Sequence, residues 1–347
     1  MVRVGIIGHF GFGKDLANGQ TIKTKNIVNA LSKKIGNDNI LKYDTHGGLR
    51  ALFQLPFQIS SCLKNVENVV IMPANRGIQL ITPLLLLFNK KRKRKIHYIV
   101  IGGWLPSLCL KKPKLAAQIK KFDYIYVETS TMKKSLMQQG FSNIVVMPNF
   151  KDITPLNSSQ LIYQKSEPFK ICTFSRVMKE KGIGDIVEIV KRINNCQKRI
   201  VYILDIYGQI DSSQVDWFDA LRSNFPNYIR YKGCVSSNES VETIKEYFAL
   251  VFPTRFYTEG VPGTILDAFA AGVPVIASKW ESYSDLIEDS ITGIGYEFGN
   301  MDELLTILEN FANCPESLNK LKVDCLGKAL LYSSNSIIET LISRLSV

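Results

Sequence analysis

Residues 248–278 read FALVFPTRFYTEGVPGTILDAFAAGVPVIAS, and their order decides the fold. FALVFPT (248–254) is an unbroken apolar run of strand length. Residues 255–263 contain Gly260, Pro262 and Gly263, the composition of a shaped loop. A helix follows over 263–271, with Ile265, Leu266, Phe269 and Ala270 on one face and Gly272 as its stop. PVIAS (274–278) is apolar again. Two strands joined through a helix run parallel, and parallel strands buried on both faces are continuously apolar rather than alternating.

The same rhythm extends in both directions. Before it stand ICTFSRV (171–177), a helix near 182–195, IVYILDIYG (200–208), a helix near 212–223, YIRYKG (228–233) and a short helix near 239–246. Residues 301–311 and 334–345 are helical. A separate series opens the chain, with strands at 2–8, 68–72, 96–101, 124–127 and 144–147. Between the first two, Ile22, Ile27, Ala30, Leu31 and Ile35 mark a helix over 19–35. Residues 151–169 hold two prolines and several polar side chains, and the linker belongs there. The expectation is an α/β chain of two Rossmann-like domains, 1–165 and 166–330, followed by a terminal helical segment, 331–347.

The 347 residues are 46% hydrophobic and 21% charged, a globular composition with room for two cores. The formal net charge of +12 is unevenly placed. Residues 1–165 carry 25 Lys/Arg against 7 Asp/Glu, and residues 166–347 carry 18 against 24. A basic front half suits an anionic partner. Seven cysteines form no CxxC pair; most stand in apolar surroundings and read as small buried side chains, and a reducing compartment is expected. The N-terminus reads as a buried strand and not a signal peptide. His9, His46 and His97 are scattered, so neither a metal cluster nor a Ser–His–acid arrangement can be argued.

Chemistry concentrates at strand ends, where ligands sit in parallel sheets. After the first strand come Gly8, Gly11, Gly13 and Gly19. Their backbone fits either close approach to an anion at a helix start or a flexible turn without a ligand. In the stretch that opens this section, the amides of Gly263, Thr264 and Ile265 begin a helix and could receive a diphosphate. Glu259 and Asp267, eight residues apart, could each clamp a different sugar ring through its hydroxyls. Equally, Glu259 could tidy the loop and Asp267 could face solvent.

EGVPGTILDAFAAGVPVIAS resembles the acidic motif of the retaining glycosyltransferases with two carboxylates eight residues apart, the group 1, family 4-like enzymes. FSRVMKEKGIGDIVEIV resembles that family's Arg-plus-EKG segment, IYG ending at Gly208 its glycine-rich strand end, and VMPNF (146–150) the stretch closing its first domain. The resemblance implies a GT-B fold, two Rossmann-like domains facing across a cleft, with the last helix crossing back to the first domain. It implies a metal-independent retaining transferase needing no cofactor beyond its nucleotide-sugar donor, with UDP-sugars first expected. The product would be a cell-surface polysaccharide, such as capsule or exopolysaccharide, or a glycolipid, built on a lipid-linked or saccharide acceptor. By similarity Arg176 and Lys181 grip the diphosphate, whose charge grows as the glycosidic bond breaks. Glu259 meets donor-sugar hydroxyls, Asp267 holds the ribose, and Gly11 or Gly13 approaches from the other domain. The chain departs from the pattern at Asp267, one methylene shorter than the usual glutamate, and at Pro262, which lacks an N–H. IVIGGWLP (99–106) stands where a histidine is usual; there Trp104 suits either a sugar-stacking wall or the core. Two alternatives share these features: a non-catalytic sugar-nucleotide-binding partner of another transferase, and a GT-B sugar-nucleotide epimerase.

PLLLLFNKKRKRK (83–95) joins an apolar run to six consecutive cations. No zinc finger or RNA-binding signature accompanies them, so nucleic acid is not the expected partner. The apolar run is too short to span a bilayer. The expectation is a cytoplasmic protein held peripherally on an anionic membrane surface, the inner face of the plasma membrane.

Overall fold

The computed structural model describes residues 3–13, 19–152 and 154–345. The tail of the first glycine-rich segment, residues 14–18, lies outside them. The chain divides into two compact units, Met1–Asp152 with Ser333–Val347, and Ile153–Tyr332. The division falls at the start of the proline-bearing stretch 151–169, so residues 153–165 go with the second unit.

Unit 1 holds a six-stranded sheet in the order β2-β1-β3-β4-β5-β6. The strands are β1 (Val4–Gly8), β2 (Ile40–Asp44), β3 (Asn68–Ile71), β4 (Lys95–Ile99), β5 (Tyr124–Val127) and β6 (Ile144–Val146), and their pairings are parallel. Helix α1 spans Gly19–Ile35, as the spacing of its apolar residues predicts. Ile27, Ala30 and Leu31 are buried, whereas Ile22 is exposed. Lys23 and Thr24 take places on the inner face instead. Lys23 can lie inside because it meets the buried Glu128, and its ammonium also donates to the Val100 carbonyl at 2.9 Å.

Two further helices matter here, α2 (Gly48–Asn65) and α3 (Asn75–Asn89). The apolar run 78–88 lies in α3, with Ile78, Ile81 and Leu85 in the core and Leu80 and Leu87 exposed. Ser334–Ile342 is a helix packed on α1, with Ile338 and Leu341 buried. Glu339 pairs with Lys34 at 2.9 Å, and the Arg344 guanidinium lies 5.9 Å from the Tyr124 ring centroid.

Unit 2 holds a second parallel sheet in the order β12-β11-β10-β7-β8-β9. Its strands are β7 (Phe169–Phe174), β8 (Tyr202–Tyr207), β9 (Ile229–Gly233), β10 (Ala249–Phe252), β11 (Val275–Ser278) and β12 (Gly293–Tyr296). The core joins Phe169, Tyr202 and Phe248 to Ile183, Val187 and Val190 of the Ile183–Gln197 helix. Each such buried aliphatic side chain stabilises the fold by roughly 1.5–3 kcal/mol relative to exposure.

Chain order reverses at one place in each sheet. In unit 1 the chain leaves β1 to one side and returns as β3 on the other. In unit 2 the equivalent place lies between β7 and β10. Connections diverge there, which opens a crevice at the carboxyl ends of the two strands.

Candidate active site at the switch point of the second sheet

Arg176 and Lys181 follow β7, and Glu259 and the Gly263–Ala270 helix follow β10. Both groups of residues singled out in the sequence therefore lie beside the switch point of the unit 2 sheet.

The loop after β7 is fixed by the loop after β8. Val177 N–H donates to the Gln209 carbonyl at 2.9 Å, and Asp211 N–H donates back to the Val177 carbonyl at 3.0 Å. Gly208 sits between them with φ of 131°. A β-carbon there would stand 1.8 Å from the Ser175 carbonyl oxygen, so the two chains meet only because residue 208 is glycine. This places Arg176 3.3 Å from Asp211, the arginine half exposed. Hydrogen bonds from the Ser213 hydroxyl and amide, reinforced by Arg176, hold the Asp211 carboxyl below its usual range.

The EKG segment is a single 3-10 turn, Lys179–Lys181, ended by Gly182 at φ 70°. A β-carbon on Gly182 would lie 1.9 Å from the Pro253 carbonyl oxygen, so this turn is pressed onto the end of β10. Lys181 thereby reaches Glu259 and forms an ion pair in which both side chains are 16% exposed. Its ammonium also lies 5.4 Å from the Phe252 ring centroid and 5.0 Å from that of Phe256. The Thr254 hydroxyl donates to Glu259 Oε1 at 3.0 Å. Arg255 spans back to Asp185 with both arms of its guanidinium and donates its amide to the Glu180 carbonyl at 2.8 Å.

The helix Gly263–Ala270 starts at Pro262 without a side-chain cap and without an acidic residue in its first turn. Ile265 N–H turns back to the Pro262 carbonyl at 3.1 Å. That corrects the expectation that its amide is open to a ligand, because a 3-10 turn at the helix start takes it. Gly263 and Thr264 occupy the first positions, where a helix supplies no partner for the amide. The Thr264 hydroxyl is buried and has no hydrogen-bond partner among the described residues. Asp267 is 3% exposed, so it is not a solvent-facing helix residue. The structure thus gathers Arg176, Lys181, Gly208, Glu259, Gly263 and Thr264 around adjoining strand ends.

The glycine turn of unit 1 differs from its expectation. Gly11 and Gly13 adopt φ of 63° and 75°. The amides of this turn point at Asp44: Phe10 N–H donates to Oδ1 at 2.9 Å and Phe12 N–H to Oδ2 at 3.0 Å. These amides, with those of His46 and Gly11, bring the Asp44 carboxyl below its usual range despite burial, which pushes it up. An anion-binding turn is already filled by an internal carboxylate. Among the described residues nothing lies within 4 Å of where a Gly13 β-carbon would be. His46 is not an isolated histidine: its Nδ1 lies 3.0 Å from His9 Nε2. Sequence reading missed Asp44 and His46 because it missed β2, which they end and follow. The signal was present in ILKYDTHGG (40–48), a strand followed by glycines as in GHFGFG.

The other unit 1 candidates are occupied as well. Gly102 N–H donates to Glu128 at 3.1 Å. Trp104 donates its indole N–H to the Ile101 carbonyl at 2.6 Å and packs against the core. Among the described residues no group of three or more His, Cys, Asp or Glu side chains could hold a metal ion.

Comparison with known proteins bears on the family and the fold. Residues 157–323, most of unit 2, match the family described as glycosyl transferases group 1. The amylovoran biosynthesis glycosyltransferase AmsK of Erwinia amylovora is 23% identical over 150 residues, 41% of this chain and 35% of that protein. The lipopolysaccharide 1,6-galactosyltransferase of Salmonella typhimurium is 27% identical over 232 residues, 63% of this chain and 60% of that protein. The chain spans between about a third and three fifths of these relatives. The structure of Anabaena Alr3699/HepE in complex with UDP and glucose superposes with a TM-score of 0.76 at 13% identity, covering 99% of both chains. That likeness is one of fold, and the fold is GT-B.

Proposed function

We propose that this chain, a GT-B protein related to the glycosyl transferases group 1 family, is a retaining glycosyltransferase. It moves a hexose or N-acetylhexosamine from a nucleotide-sugar to a lipid-linked or saccharide acceptor in cell-surface polysaccharide or glycolipid synthesis. The UDP and glucose bound by the Anabaena protein make UDP-sugars the first donors to test. One observation carries the reading: two cations, Arg176 paired with Asp211 and Lys181 paired with Glu259, follow the strand at the switch point of the unit 2 sheet, and an uncapped helix start follows its neighbour.

The chemistry follows from what those groups hold now. Each cation faces a carboxylate, Arg176 facing Asp211 and Lys181 facing Glu259. A donor diphosphate competes with the carboxylates for the cations. As the bond to the sugar lengthens, negative charge grows on the phosphate and its attraction to Arg176 and Lys181 strengthens, which lowers the barrier. Glu259, released from Lys181, accepts hydrogen bonds from donor-sugar hydroxyls. Gly208 leaves room beside Arg176, and Gly263 and Thr264 offer amides to the phosphate. The buried Thr264 hydroxyl gains a partner in a phosphate oxygen. Ile265 packs behind them and fixes the helix end. Asp267 takes the ribose, a contact that requires its now buried carboxylate to become accessible. Gly11 and Gly13 give a ligand room on unit 1. The acceptor hydroxyl attacks the donor face from which phosphate leaves and gives its proton to that phosphate, with no side-chain nucleophile. Titration with UDP tests the site: Arg176→Ala should weaken UDP binding about tenfold, a loss of about 1.4 kcal/mol. Equal affinity in wild type and variant would move the phosphate elsewhere.

We also infer that unit 1 rests on an anionic membrane, the inner face of the plasma membrane. Phe53 and Phe57, one turn apart on α2, are 77% and 78% exposed. Leu80 and Leu87 are exposed on α3, which packs against α2 and runs into the basic stretch. Within that stretch Arg92 donates to the Ser60 carbonyl at 2.9 Å and Arg94 to the Leu63 carbonyl at 3.2 Å, so both arginines are held on the last two turns of α2 and Arg94 caps its end. Lys90, Lys91 and Lys93 remain exposed. Apolar rings beside free cations suit a surface of anionic lipid, where each cation contributes roughly 1 kcal/mol. Among the described residues no helix is long and apolar enough to cross a membrane.

A further inference from the structure

A second cluster, at the carboxyl ends of β1 and β2, has no part in the transfer step outlined above. His9 Nδ1 lies 2.8 Å from Thr21 Oγ1, and His9 Nε2 lies 3.0 Å from His46 Nδ1, the two rings edge to face. Both nitrogens of His9 are thus engaged, and His46 Nε2 is the outer end of the chain Thr21–His9–His46. The protons in this chain can all point one way or the other. When His46 donates to His9, its Nε2 presents a lone pair; when His9 donates to His46, that Nε2 presents N–H. The outer nitrogen can therefore accept from a hydroxyl or donate to one.

Beside it stands an aromatic platform. Phe12 is 60% exposed, and its ring stacks on the buried Phe10 ring with centroids 5.0 Å apart and 12° between planes. Asp44 sets both parts, because it accepts from the amides of Phe10 and Phe12 on one side and of His46, at 2.9 Å, on the other. The carboxylate also repels a phosphate from this turn. A neutral polyol is favoured instead, with its C–H face on an aromatic ring and its hydroxyls on an imidazole.

We propose that Phe12 and His46 form a pyranose-binding subsite for the acceptor, with the sugar ring on Phe12 and one of its hydroxyls on His46 Nε2. The proposal rests on the reading of the chain as a transferase with a saccharide acceptor. His9 and Thr21 act as positioning residues that fix the His46 ring, and Asp44 fixes the loop that carries Phe12.

The test is saturation-transfer NMR on the full chain with three probes: the methyl α-glycosides of glucose, galactose and N-acetylglucosamine. UDP binding is followed in parallel by thermal shift. At least one glycoside should receive saturation from the wild type. Phe12→Ala and His46→Ala should each cut that signal at least fivefold, Phe12→Tyr should keep it, and the UDP shift should be the same in all four proteins. Unchanged glycoside signals in Phe12→Ala and His46→Ala would overturn the subsite. So would the absence of any glycoside signal in the wild type. A retained UDP shift in that case would leave the donor site standing, so failure here is separable from failure of the transferase reading.

Discussion

Lys181 and Glu259, 78 residues apart in sequence, form an ion pair between the loops that follow β7 and β10, with the Thr254 hydroxyl donating to the same carboxylate oxygen. In the proposed function this pairs a cation for phosphate with a carboxylate for sugar hydroxyls, so the two neutralise each other until a donor arrives. Partly buried, each is held in place by the other, and the ammonium also lies over the Phe252 and Phe256 rings.

This pairing makes Glu259→Gln informative. Removing the charge frees Lys181 for diphosphate, so UDP affinity should stay level or rise. Transfer should fall by about 10²–10³ because the charged acceptor for sugar hydroxyls is replaced by an amide with one accepting oxygen. Calorimetric titration with UDP beside a transfer assay separates the two effects. A parallel loss of UDP binding and turnover would show Glu259 acting as a structural anchor instead.

Gly208→Ala tests the scaffold under Arg176. The added methyl would stand 1.8 Å from the Ser175 carbonyl oxygen at a φ of 131°. We expect a loss of about 2–4 kcal/mol in urea unfolding, from strain and from backbone displacement. The same variant should bind UDP weakly even where it is folded. Wild-type stability would mean that the two loops can separate freely.

These two loops also show what was legible in sequence. β10, the helix after it and β11 could be read directly, because central parallel strands are apolar throughout. α1 was found at its true ends. The strands overlooked, β2 and β12, are both edge strands; Lys42 and Asp44 break the apolar run of the first, and Gly293 and Gly295 that of the second. With β2 went Asp44 and His46, and so the carboxylate that fills the glycine turn. The Lys181–Glu259 pair was hidden for another reason: spacing along the chain says nothing about which loops a sheet brings together.

Acid should weaken unit 1 through His97. Burial, and secondarily Lys95, lowers its pKa from 6.5 to about 4. The unfolded chain takes up this proton near pH 6.5 and the folded chain only near pH 4, so between them the unfolded state binds more protons and stability falls with pH. The full difference is about 3 kcal/mol. His9, whose pKa is also lowered, by burial and then by His46, acts in the same direction. Thermal melts between pH 7 and pH 4.5 should show a falling midpoint, with a shallower fall in His97→Gln. Identical slopes in the two proteins would remove His97 as the cause.

The proposed membrane surface can be divided into its two parts. Lys90, Lys91 and Lys93 replaced by Gln should lower sedimentation with phosphatidylglycerol vesicles at physiological salt by about 10²-fold, given roughly 1 kcal/mol per cation. Phe53→Ser with Phe57→Ser should weaken it further without changing its salt dependence. Undiminished sedimentation of the combined variant would exclude this face as the lipid contact.

The central claim is transfer with retention, and proton NMR of the running reaction reads it directly. UDP-glucose, UDP-galactose and UDP-N-acetylglucosamine, each α-linked to UDP, are supplied with saccharide and lipid-linked acceptors. One donor should be converted to UDP and to an α-glycoside in equal amounts, with Arg176→Ala and Lys181→Ala slowing both together. Formation of a β-glycoside, or wild-type rates in both variants, would contradict the account.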